Sequence, residues 1–314
     1  MSALVRIPDS SRTWREVRKV PCADSTGLQC CACLPSRLAE NVLRHDGRPM
    51  AEPIYAGASE GYDELFARAT QLFIPALLRA AHIESGQTVL DVATGTGAAA
   101  RAATDVVGSS GSVIAGDASP TMLEAAERNL KGLPVRLEIL DGQALPYPDN
   151  RFDAVICQFG LMFFNDPARG LSEFHRVLRN GRWAAASVTT TAERSLFARI
   201  GAVIARHAPE RAEKLNRFFS IPTAERLRSL IGGAGFQEVE IQTESRGIEF
   251  ASFDEYFSGI EKGATLSGQE FVQLSPNVQR RVRDEVRDSL GAPDHGQRLV
   301  IEMEVLIGSG RRSE

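Results

Sequence analysis

The stretch TVLDVATGTGAAA, Thr88 to Ala100, restricts this chain more than any other. Val89, Leu90 and Val92 form a short apolar run between Gly86 and the pair Gly95 and Gly97, which reads as a buried strand feeding a glycine turn. The alanines behind the turn open a helix. Glycine is needed where backbone passes close to a ligand, because a Cβ there would collide with it. About twenty residues past Gly97, a second apolar run, Val113-Ile114-Ala115-Gly116, ends in Asp117, and a carboxylate at the tip of a second strand can accept both hydroxyls of a ribose. Strand, glycine turn, helix and strand-end acid point to an α/β sheet that binds a nucleoside-bearing cofactor.

Two cofactors compete for this pattern. Gly95 to Ala100 fits the dinucleotide form G-x-G-x-x-A, with Asp117 at a suitable spacing, which would mean NAD and an oxidoreductase. Asp91 argues against it. A carboxylate four residues before Gly95 opposes a pyrophosphate but suits a ligand carrying an amino group and a sulfonium. The chain also continues with a helix from about Thr121 to Leu130 and a third strand, Val135 to Leu140, which ends in Asp141-Gly142-Gln143-Ala144-Leu145-Pro146. A turn at Asp149-Asn150 then leads into a fourth apolar strand, Phe152 to Gly160. Acids at three successive strand ends can each grip a different part of one ligand.

These segments together resemble the class I S-adenosylmethionine-dependent methyltransferases, and within them the ubiquinone/menaquinone C-methyltransferase-like group. The likeness rests on the Val89–Gly97 motif, Asp117 to Leu123, Asp141 to Tyr147, the Phe152–Gly160 strand and Glu173-Phe174-His175-Arg176-Val177-Leu178, in that order. It implies a Rossmann-like α/β fold with seven strands, mostly parallel, in the order 3-2-1-4-5-7-6. The cofactor it implies is S-adenosyl-L-methionine. Asp91, Ala93, Thr94, Gly95 and Gly97 would hold its methionine part, and Asp117 with Ala118 its ribose. Met122 would wall the adenine, which Asp141, Gly142 and Gln143 would contact at its edge. Gln158 would stand beside the methyl donor. Two departures mark this chain: Ala93 replaces the first glycine of the motif, and Leu178-Arg179-Asn180-Gly181-Arg182 stands where Leu-Lys-Pro-Gly-Gly is usual. A cofactor-binding protein without catalysis is the alternative from another class.

Composition bounds the rest. A net charge of −4 over 314 residues gives no electrostatic case for nucleic acid. No apolar run approaches the roughly 20 residues of a membrane span, and the N-terminal segment lacks the apolar core of a signal peptide. The expectation is a cytoplasmic enzyme acting on a small molecule. Residues 1–50 do not share the pattern of residues 51–314 and read as a disordered extension, with a start at Met50 as the alternative. They hold four of the five cysteines, and a zinc site from Cys22, Cys30, Cys33 and His45 would lack the second spaced ligand pair of a structural zinc. Cys157, inside an apolar strand, reads as a buried small hydrophobe.

Helical spacing of Leu65, Phe66, Leu72, Phe73, Leu77 and Leu78, interrupted at Pro75, predicts two helices ahead of the first strand. Tyr55 and Tyr62 are lid candidates there. After strand five, Trp183 to Val188, residues from about Ala192 to Phe219 read as helical, then Pro222 to Leu230 as another helix. Phe236 to Ile241 reads as strand six and Leu299 to Ile307 as strand seven. The stretches 192–230 and 244–298 are insertions that would form a helical lid, because long connections inside a compact domain are often functional covers.

A sulfonium methyl group is already activated, so alignment supplies much of the rate and water exclusion helps. No catalytic residue is assigned: His82 and His175 read as structural, and His207, Tyr256 and Glu261 lie in the insertions. Phe159, Met162 and Phe163 follow strand four where the resemblance puts the acceptor, and with Tyr256 they suit a hydrophobic or aromatic molecule. No metal is expected. Cys157-Gln158-Phe159-Gly160 is not the Asn/Asp-Pro-Pro-Tyr signature that reads a flipped base.

Overall fold

Alternation and apolar runs build the sheet seen in the computed structural model, which describes residues 5–8, 14–17, 68–196, 198–263, 265–292 and 297–313. The chain divides into two units, Met1–Met50 and Ala51–Glu314. In the first, Val5–Pro8 and Trp14–Val17 pair as an antiparallel hairpin. The rest of the expected extension, its four cysteines and His45 lie outside the described residues, as do Tyr55 and Tyr62.

The second unit carries β1 (Thr88–Val92), β2 (Ser112–Asp117), β3 (Val135–Ile139), β4 (Phe152–Gln158), β5 (Leu178–Thr189), β6 (Gln237–Phe250) and β7 (Leu299–Arg311). They form one seven-stranded sheet in the order β3-β2-β1-β4-β5-β7-β6, as the resemblance implies. The first five run parallel, and β7 is antiparallel to both neighbours. The central strands β1 and β4 are buried almost throughout, which is why they read as continuous apolar runs rather than as alternation. Asp153 ties their starts together, accepting from the Thr88 amide at 2.9 Å while pairing with Arg179 at 2.7 Å. Arg182 stands 3.6 Å from the same carboxylate. Arg179, where a lysine is usual, and Arg182, where a glycine is usual, thus both bring a cation to the foot of the sheet.

Helix starts follow local chemistry. The helix α1 (Ile74–Ala80) carries Pro75 in its first turn, and a single turn, Arg68–Gln71, precedes it. α2 (Ala98–Val107) follows the glycine turn directly. α3 (Pro120–Asn129) is capped by the Ser119 hydroxyl, and α4 (Pro167–Val177) by the Asp166 carboxylate.

The insertions depart from the sequence expectation in two ways. Residues 192–219 are not one helix: α5 (Ala198–His207) stops before Pro209, and only short turns follow to Phe219. α6 (Ala224–Gly233) then leads back to the sheet. The second insertion begins at 251 rather than 244, because β6 stays paired with β7 as far as Phe250↔Leu299. β5 pairs with β7 only as far as Thr189↔Val305, so residues 245–250 and 299–304 project beyond it as a two-stranded ribbon.

The two insertions pack on each other. The second contributes α7 (Phe253–Glu261), α8 (Leu266–Val272) and α9 (Pro276–Ser289). Glu285 on α9 receives His207 of α5 at 2.6 Å, and Arg206 as well. Glu270 on α8 is gripped by Lys214 at 2.6 Å and by Arg211. Among the described residues no helix is long and apolar enough to cross a membrane.

Candidate active site

The site is built where β1, β2, β3 and β4 end side by side. β1 delivers Asp91 into the interior with no exposed surface. Its Oδ2 accepts from the Thr94 hydroxyl at 2.6 Å, while Oδ1 has no hydrogen-bond partner among the described residues. Burial pushes this carboxyl up to about 7 against the pull of the Thr94 hydroxyl, and neighbouring Asp117 raises it further.

The glycine turn leaves β1 through backbone in the left-handed region, with φ +58° at Ala93, +56° at Gly95 and +92° at Gly97. Two of these three residues lack the Cβ that makes this conformation costly. Gly97 also needs its bareness for packing, since a Cβ would stand 2.7 Å from Leu130 Cδ1. Among the described residues nothing lies within 4 Å of a Cβ placed on Gly95, so none of them crowds the turn there. Asp117 secures the turn: its Oδ2 accepts the Gly95 amide and its Oδ1 the Ser119 amide, both at 2.9 Å. Burial raises this carboxyl as well, opposed by the amides of Ser119, Gly95 and Ala118.

Beyond β3, the Asp141 carboxylate accepts from the Gln143 amide at 2.8 Å and from Gln143 Nε2 at 3.1 Å. Gln143 Oε1 in turn accepts the Asp166 amide at 2.8 Å. The Gln143 side chain therefore spans two fixed points and orients Asp141. Met122 is buried in the first turn of α3. The Glu173–Arg176 pair braces the same loop. Glu173 accepts the Leu145 amide at 2.8 Å, and Arg176 reaches the Leu145 and Tyr147 carbonyls and Asp149. These contacts give that motif a loop-holding role.

At the end of β4, Gln158 Nε2 donates to the Thr70 carbonyl at 2.9 Å, tying the turn ahead of α1 to the sheet. Phe159 has φ +54°, and its amide is held by the Ser187 carbonyl at 3.1 Å and hydroxyl at 3.2 Å. Its ring meets the edge of Phe73 at 6.4 Å. Met162 is buried with Sδ 3.4 Å from the Thr189 hydroxyl, and the half-buried Phe163 ring packs edge-on against Phe218 of the first insertion at 5.2 Å. Phe73, Thr70 and Ser187 thus fix Gln158 and Phe159 at the end of β4. Sequence reading counted Phe73 only as helix core and passed over the other two, which carry no signal of their own.

Tyr256 requires a correction. It is fully buried, its hydroxyl donates to the Leu196 carbonyl at 2.7 Å, and its ring packs against Phe250 and Phe253. It is a core residue of the second insertion, with its hydroxyl and ring already committed there. Cys157 is buried, and burial raises its thiol strongly. His82 stacks on Trp183 at 4.4 Å, and His175 meets Phe236 edge-on at 5.0 Å. Among the described residues no cluster suits a metal ion.

An unpaired, buried carboxylate oxygen beside an open glycine turn, with a second acid on the neighbouring strand, fits a nucleoside carrying a positively charged tail. The methyltransferase-domain family matches residues 89–181. The ubiquinone/menaquinone biosynthesis C-methyltransferase UbiE of Stenotrophomonas maltophilia is 31% identical over 184 residues, covering 54% of this chain and 73% of that one. UbiE of Xylella fastidiosa is 29% identical over 230 residues, 66% of this chain and 90% of its own. Among solved structures, the phosphoethanolamine N-methyltransferase 2 of Haemonchus contortus, in complex with S-adenosylhomocysteine, shares the fold with a TM-score of 0.54 at 15% identity, over 85% of this chain and 62% of that one. The chain belongs to the class I S-adenosylmethionine-dependent methyltransferases, in the group related to UbiE. Its methyl donor is S-adenosylmethionine.

Proposed function

We propose that this enzyme methylates a small, hydrophobic, aromatic acceptor of the quinol class by direct displacement. The observation that carries the reading is the apolar wall of Phe159, Met162 and Phe163 at the end of β4, backed by Phe73 and Phe218. The names of the UbiE relatives point to the same acceptor class.

When bound, S-adenosylmethionine supplies an activated methyl group. Asp91 and the backbone from Ala93 to Gly97 would hold its methionine part, Asp117 and the Ala118 backbone its ribose, and Met122 its adenine face. Asp141 and Gly142 would meet the adenine edge, with Gln143 fixing Asp141. Gln158 spends its amide on Thr70 and so keeps the cover over the reacting groups in place. The lid, joined through Glu270 and Glu285, excludes water from a reaction that needs chiefly alignment. A net charge of −4 fits a cytoplasmic enzyme for small molecules rather than nucleic acid.

The test is incubation with labelled S-adenosylmethionine and matched panels of reduced quinones, phenols, amines and carboxylic acids. Label should enter the aromatic panel. Transfer to amines or acids alone would sink the acceptor assignment, and binding with no transfer to any panel would sink catalysis.

A further inference from the structure

We propose that Asp91 is a neutral acid in the ligand-free enzyme and releases one proton to solvent when a positively charged ligand group settles against its Oδ1. The inference rests on S-adenosylmethionine binding at this site and adds to it a proton that binding must displace.

The geometry leaves the ligand-free carboxylate poorly supported. Asp91 has no exposed surface, the Thr94 hydroxyl at 2.6 Å as its side-chain donor, support from the Ala100 amide, and an Oδ1 with no hydrogen-bond partner among the described residues. Its register partners on the flanking strands, Ala115 and Ile156, bring no charge. Among the described residues the titratable groups set against it are Asp117, an acid that repels its charge, and the Cys157 thiol, which burial keeps protonated. The Thr94 hydroxyl and the Ala100 amide in the first turn of α2 favour ionisation but do not outweigh burial, which lifts the carboxyl to about 7. A buried acid without a compensating cation keeps its proton. An ammonium or sulfonium against Oδ1 supplies that cation: the O–H bond breaks, the proton leaves to buffer, and the carboxylate stays paired with the ligand.

Affinity should therefore depend on pH. Between pH 5 and 7 it rises roughly fifty-fold and then levels, because binding below the carboxyl's own titration must first remove a proton. Calorimetric titration in buffers of different ionisation enthalpy counts that proton directly. S-adenosylmethionine, S-adenosylhomocysteine and 5′-methylthioadenosine carry two, one and no positive groups in turn. At pH 6, release of about one proton with the first two and none with the third supports pairing to the ammonium. Release with S-adenosylmethionine alone supports pairing to the sulfonium. Binding of the charged ligands without proton release overturns the inference, as does release that persists in Asp91→Asn and vanishes in Asp117→Asn. Failure of all three ligands to bind would instead sink the cofactor site itself. A ligand-free measurement stands apart from both. The melting temperature of Asp91→Asn should gain on the parent by about 5 °C or more from pH 5 to 8, since Asp117 is common to both and only the parent holds the Asp91 carboxyl, reluctant to ionise. A gap that stays constant with pH overturns the neutral state.

Discussion

Ala93 and Gly160 are fitted to each other: a Cβ built on Gly160 would fall 2.4 Å from the Cβ of Ala93. Ala93 tolerates a left-handed φ of +58° at the exit of β1, and its methyl is accommodated because the chain leaving β4 has none at this point. Gly160→Ala should lose about 1–3 kcal/mol through overpacking, with Cys157 Sγ, 2.9 Å from the same point, adding to the clash. Adding Ala93→Gly should restore part of the loss. Denaturant titration of both single variants and the double variant measures the coupling. Additive losses would mean that the two residues do not meet.

Asp117→Ala should weaken cofactor binding by roughly one to three powers of ten, counting the loss of charge-assisted hydrogen bonds partly regained by water. It should also loosen the glycine turn, because the Gly95 and Ser119 amides lose their acceptor. Asp117→Asn, which keeps one acceptor oxygen, should be milder in both respects. Calorimetric titration with S-adenosylhomocysteine and hydrogen exchange at Gly95 read the two effects separately, and an unaltered affinity would move the ribose elsewhere.

Asp153 should give the fold an acid-sensitive joint. Burial alone would raise its carboxyl, but the Thr88 amide, Arg179 and Arg182 hold it below the usual carboxylate range. A depressed folded value stabilises above the unfolded value near 4 and is lost as pH falls through the folded one. Asp153→Asn should therefore cost about 2 kcal/mol at pH 7 and converge on the parent under acid conditions. Equal losses at pH 7 and pH 3 would remove the ionic contribution.

Tyr256→Phe should leave turnover and acceptor affinity unchanged while lowering stability by about 1 kcal/mol for the hydrogen bond to Leu196. Thermal unfolding and a steady-state assay test this together. A selective rise in acceptor KM would return Tyr256 to the substrate wall.

Much of the site was legible in the chain because it is written within a few residues of each turn. Asp91, Gly95 and Gly97 announce themselves by strand, turn and helix in direct succession, and Asp117 by its place at the next strand end. Gln143 looked equally like a ligand contact, yet its amide is committed to Asp141 and Asp166, the latter from a different segment. Tyr256 read as an insertion residue able to face the acceptor, because the partner of its hydroxyl, the Leu196 carbonyl, lies sixty residues earlier. The end of β6 was placed short for a similar reason. Residues 242–250 are polar enough to pass for loop, and only pairing with β7 makes them strand.

The sequence by itself determined the succession of strands and helices, the glycine turn and the acids at the strand ends, since periodicity, turn chemistry and steric bareness act between near neighbours. Tertiary structure decided what those groups are free to do. It joined two distant insertions through Arg211 and Glu270, 59 residues apart. It buried Tyr256 against Leu196 and left Oδ1 of Asp91 buried with no hydrogen-bond partner among the described residues. Those outcomes depend on which atoms from remote segments arrive to fill a space or satisfy a hydrogen bond, and no local pattern encodes that.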